Sequence, residues 1–202
     1  MRKQFLDLIY PSLIMIISII CVILQPVLFN KINILIIFQL FGCALLTFII
    51  PIISKYIKLT LPWQLNFLIC THILLSMCLG NSLRFYSLIP WWDLLVHGMF
   101  GAICTYGLMT FFHNDKITMM LLYNLSTIGL GAIWEVFEYC ADLLLGGDTQ
   151  RIEESLQNGK LPQADTLEDI IITIVGSIIF SLFYFLIKYI TNNIKKKRLT
   201  NK

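Results

Sequence analysis

The sequence predicts an all-α fold: a single polytopic membrane domain of about six transmembrane helices, with both termini cytoplasmic. Three observations predict it. Of 202 residues, 57% are hydrophobic and 13% charged, with mean hydropathy +0.79, whereas soluble domains carry about a quarter charged residues. Apolar runs long enough to cross roughly 30 Å of hydrocarbon recur along the chain. The basic residues also divide unevenly between the connections that those runs leave. The formal charge of +3 sits at span ends rather than in a surface patch, so it does not point to nucleic acid, and no nucleic-acid partner is expected.

Each span follows from the chain in order. Helices are expected at about 9–29, 33–53, 63–81, 91–112, 117–143 and 167–190. Arg2 and Lys3 precede the first apolar run, but Gln25-Pro26-Val27 closes it without a small-residue cleavage site, so it reads as a retained span. Asn30 to Asn33 separates the first pair. Ser54 to Pro62 and Asn81 to Pro90 bound the third, His113 to Lys116 forms a tight hairpin, and 146–164 is the long polar connection. Trp63 and Trp91-Trp92 at span starts suit an interfacial belt. The six cysteines lie within spans and form no CxxC, so they read as small apolar fillers.

With the N-terminus inside, the cytoplasmic segments hold 11 of the 15 basic residues: Arg2, Lys3, Lys55, Lys58, Lys116, Lys188, Lys195, Lys196, Lys197, Arg198 and Lys202. The outer segments hold Lys31, Arg84, Arg151 and Lys160. An even number of spans and the positive-inside bias agree.

This topology carries one set of acidic groups to the outer side. Asp93 and His97 open the fourth span, Glu135, Glu138 and Asp142 close the fifth, and Asp165, Glu168 and Asp169 open the sixth. Asp93/His97 and Asp165/Asp169 are i, i+4; Glu135, Glu138 and Asp142 are i, i+3, i+7, so each set shares a stripe of its helix. Stacked carboxylates in a membrane cost up to about 3 kcal/mol each unless a cation or a shared proton offsets them. Carboxylates with one imidazole suit Mg²⁺, Mn²⁺ or Zn²⁺. The candidate metal ligands are therefore Asp93, His97, Glu135, Glu138, Asp165 and Asp169, and the candidate catalytic carboxylates Glu135, Glu138 and Asp142. Spans four to six (91–190) form the functional bundle with loop 146–164 as a lid, and residues 1–81 a supporting wall.

Other readings stand beside these. Asp165 and Glu168 match a capping box, Asp93 favourable helix-dipole chemistry, and Asp142 a solvated residue. His97 alone would suit packing, His72 a structural or pore-lining role, and His113 the hairpin.

The succession Trp92-Asp93-Leu94-Leu95-Val96-His97-Gly98, Trp134-Glu135-Val136-Phe137-Glu138, Gly147-Asp148-Thr149 and Asp165-Thr166-Leu167-Glu168-Asp169 with Gly176 resembles the YjdF-like bacterial inner-membrane proteins. A fainter similarity is to VanZ-like proteins, whose Asp-Lys-x-x-His element has Leu94 in place of the lysine here. The resemblance implies a multi-pass protein of the bacterial cytoplasmic membrane, without assigned biochemistry.

Three functions fit. One is a metal-dependent enzyme acting on a lipid or envelope precursor. Another is a non-catalytic scaffold or accessory protein. The third is a small ion- or proton-coupled transporter. No inverted repeat is visible and polar groups do not continue toward the cytoplasmic end, which counts against transport.

Overall fold

The computed structural model describes residues 2–29, 34–56 and 61–200. The break expected at Asn30 to Asn33, with Lys31, lies outside the described residues, as do Lys58 and Lys202. The described elements are α1 (Arg2–Phe29), α2 (Ile34–Tyr56), α3 (Trp63–Ile73), a π-helical segment Leu74–Ser82, α4 (Phe85–Leu88), α5 (Trp92–Phe112), α6 (Ile117–Leu145), α7 (Ile152–Gln157) and α8 (Ala164–Thr200). No strand occurs among them.

Among the described residues, five stretches are long and apolar enough to cross a membrane: Leu8–Phe29, Trp63–Ser82, Trp92–Phe112, Ile117–Leu144 and Ala164–Arg198. The second expected span coincides with α2, whose apolar stretch among the described residues is the shorter Ile36–Ile49. The protein is thus a polytopic helical membrane protein. Helices serve here because hydrocarbon offers no partner to backbone N–H and C=O groups, which must bond within the segment.

The chain packs as two compact units, 1–96 and 97–202, the division falling within α5. In the first, Ile14, Ala44 and Cys70 form one buried cluster and Cys21, Leu40 and Cys78 another. These three cysteines act as compact apolar fillers, as their placement within spans suggested. Trp92 departs from the interfacial role expected of it. Its side chain is buried, its Nε1–H donates to the Leu75 carbonyl at 3.2 Å, and its ring packs edge-on against Phe85. Trp63 and Trp91 remain exposed.

In the second unit, α8 packs against α5 and α6 through small residues. A Cβ at Gly176 would overlap the Gly98 carbonyl, and one at Gly101 the Thr173 carbonyl. Backbones this close require glycine. The interior between these helices is largely polar: Thr105, Thr127, Thr173, Ser177 and Ser181 are all buried. α6 ends at Gly146, whose left-handed φ of 68° lets its N–H reach the Asp142 carbonyl at 2.9 Å. α8 begins three residues before the span expected there and runs ten residues beyond its end. Hydropathy marks only the part inside the bilayer, and no glycine or proline interrupts the polar remainder.

Candidate functional site

The close approach of α5 and α8 brings His97 to Asp169. Thr173, one turn from Asp169, donates its hydroxyl to the His97 carbonyl at 3.4 Å, fixing the register of the two helices. His97 Nε2 then lies 3.6 Å from Asp169 Oδ2, with the side chains only 12% and 4% exposed. Asp93 precedes His97 by one turn of α5 in the sequence and is itself buried.

Glu135 joins this level through the register of α6 on α8. Gly131 faces Thr173, where an added Cβ would stand 3.2 Å from the Thr173 methyl. Thr127 and Ser177 both bond the Thr105 hydroxyl, at 3.0 and 2.6 Å. Moving four residues toward the loop on each antiparallel helix sets Glu135 level with Asp169. Both are almost fully buried. A buried carboxylate persists only where hydrogen bonds, an opposite charge or a proton compensate its desolvation.

The remaining expected residues are engaged elsewhere. Glu138 accepts from the Trp134 indole N–H at 2.8 Å, one turn away on α6. Asp142, expected as a catalytic carboxylate, holds the loop. Its Oδ1 accepts the Thr149 N–H at 2.8 Å and the Thr149 hydroxyl at 2.7 Å, and its Oδ2 the Gln150 N–H at 3.0 Å. Asp148 caps α7 in the same manner, accepting from the Ile152 and Glu153 N–H groups. Asp165 stands within the first turn of α8, not at the N-cap, and faces the Arg151 guanidinium at 4.0 Å. Glu168 pairs with Lys160 at 2.6 Å, which raises the lysine above its ordinary pKa. The expected capping box is replaced by these two ion pairs.

The loop is therefore strapped to both helices, to α6 by Asp142 and to α8 by Arg151, Lys160 and the bond from Gln150 Nε2 to the Thr166 hydroxyl at 3.1 Å. Arg151 has φ of 49°, an uncommon conformation for a non-glycine residue. Sequence reasoning counted it only as a loop cation.

Polar groups do continue to the other end of the bundle, contrary to the expectation. Ser177 and Ser181 donate to Asn124 Oδ1 at 2.7 and 2.9 Å. Beyond them, Tyr184 and Lys188 both donate to Asp115 at 2.6 Å. Asp165, Asp169, Thr173, Ser177 and Ser181 recur at a strict four-residue interval, the signal that could have revealed this seam.

These features define a polytopic membrane protein with buried titratable groups at one end of its last helices. The chain belongs to the family described as Predicted membrane protein (DUF2238), whose model matches residues 10–189. The YjdF-like resemblance is consistent with that family, and the VanZ-like one finds no support. No curated protein and no solved structure matches the chain.

Proposed function

We propose that this membrane protein binds a divalent cation at His97 and Asp169, with Glu135 as a further candidate ligand, and uses it in an enzymatic reaction. The observation that carries this reading is the buried His97–Asp169 pair. An imidazole and a carboxylate at this separation suit Zn²⁺ or Mn²⁺, and Mg²⁺ if more oxygens contribute. A bound cation would offset the carboxylate charge and acidify a coordinated water for attack on a substrate. The site's place at the ends of membrane helices favours a lipid or envelope precursor, drawn from the polar layer of a bacterial cytoplasmic membrane.

Metal analysis of protein purified and then loaded with Zn²⁺ or Mn²⁺ tests this. About one ion per chain is expected, with affinity falling at least tenfold in Asp169→Asn and His97→Ala, as loss of a ligand requires. Stoichiometry near zero in a folded wild type rules the reading out.

The polar seam favours a second reading, ion coupling, in which Glu135 takes part in moving a cation or proton. Cation flux into liposomes that is abolished by Glu135→Gln would favour it over the enzyme. The tight contacts at Gly101 and Gly176 close α5 against α8 at those levels, which counts against an ion path along that seam, so the first reading is preferred.

A further inference from the structure

We infer that the end of α8 is a collar for anionic phospholipid headgroups, an interaction surface separate from the His97–Asp169 site. α8 spans 37 residues, about 55 Å at 1.5 Å per residue. That is well beyond the roughly 30 Å of hydrocarbon. Its two polar levels bracket a distance near that thickness: Asp169 and Lys188 are about 28 Å apart along the axis. Lys188, bonded to Asp115 at the 113–116 turn, therefore marks the membrane boundary at that end.

The helix continues past this point through Lys195, Lys196, Lys197 and Arg198, all exposed. They lie about 10–15 Å beyond Lys188 along the axis. A headgroup layer adds about 5–7 Å to each side of the hydrocarbon. The four cations thus stand about 3–10 Å beyond the headgroup layer, within about one Debye length of the phosphates. Lysine stems are long enough to bend back toward them.

Two features make the partner an anionic surface. Four consecutive helical residues, about 100° apart, cover the whole circumference, so some cations face the bilayer whichever way the helix leans. Residues 170–200 contain no Asp or Glu, so the side-chain charge of this end of α8 is wholly positive. Each cation near an anionic membrane surface is worth about fivefold in association.

The test uses the full chain reconstituted in phosphatidylcholine containing phosphatidylglycerol, with spin-labelled forms of each lipid reporting which one occupies the boundary. The wild type is expected to prefer phosphatidylglycerol at least twofold at low salt, with the preference screened away near 1 M salt. Lys195→Gln/Lys196→Gln/Lys197→Gln/Arg198→Gln should bring the ratio close to one. Lys195→Arg/Lys196→Arg/Lys197→Arg should retain it. Both faces of the reconstituted bilayer carry the same lipid, so a change of orientation does not alter the readout. A wild-type ratio near one, or a preference unaffected by salt or equal in the glutamine variant, overturns the inference.

Discussion

Asp142 and Asp169 are the same side chain with different uses, and the surroundings set the difference. Asp142 accepts three hydrogen bonds from Thr149 and Gln150, all from one loop. Asp142→Ala is expected to cost about 2 kcal/mol. It should also speed tryptic cleavage after Arg151, while leaving metal stoichiometry unchanged. A lost ion with an intact loop would return Asp142 to the site. Asp115 gives a pH prediction. Lys188 first, then Tyr184, hold its carboxyl below the ordinary value of 3.8. A depressed folded value means the stabilisation is fully present above 3.8 and disappears as pH falls through the lower folded value. Partial exposure of the pair keeps the effect small. Melting of wild type and Asp115→Asn, followed from neutral pH downward, should differ at neutral pH and converge in acid. Parallel curves would show that the pair contributes nothing. The acidic stripes were legible because helical spacing is fixed. Which members turn to a neighbouring helix and which to a loop was not, since that depends on a connection whose path no periodicity records.

At the scale of the helices, glycines of one composition class divide by what faces them. Gly101→Ala and Gly176→Ala each press a methyl into a backbone carbonyl of the opposing helix, which cannot yield as a flexible side chain can. The expected cost is at least about 3 kcal/mol, as for overpacking of a tight core, read as a loss of melting temperature or of folded yield. Gly129→Ala meets nothing within 4 Å and should be neutral or stabilising by up to about 1 kcal/mol through helix propensity. Equal effects at the three positions would contradict the packing described. The small residues at these positions were visible in the sequence as an invitation to close approach. The hydroxyl seam is visible too, as the four-residue interval on α8, but hydroxyls barely lower the hydropathy of an apolar window. Helix existence was legible for the same reason that helix ends were not. The apolar signal stops where the bilayer stops, whereas α8 continues as exposed polar helix. The π-helical turns of Leu74–Ser82 leave no periodic mark.

For the whole molecule, the number of crossings decides on which side each terminus lies, and α2 holds that decision. Six crossings place the N-terminus and the basic end of α8 on the same side, as the distribution of lysine and arginine requires. Five place them on opposite sides. The apolar stretch Ile36–Ile49 is 14 residues, about 21 Å as helix. That is short of the hydrocarbon thickness, but α2 itself continues to Tyr56, with 23 residues and about 34 Å. Mean thickness is matched by the whole helix, and a bilayer thins locally at a cost of fractions of a kcal/mol per Å. Crossing is therefore expected. Cysteines introduced at Lys3 and Lys197 in a chain whose six native cysteines are replaced should both be modified by an impermeant maleimide only after the cytoplasmic face is opened. Labelling of one from each side would make α2 a surface or re-entrant helix. It would also reverse the face on which either His97 and Asp169 or the N-terminus lies, so the same two cysteines fix the side of the membrane on which that pair lies.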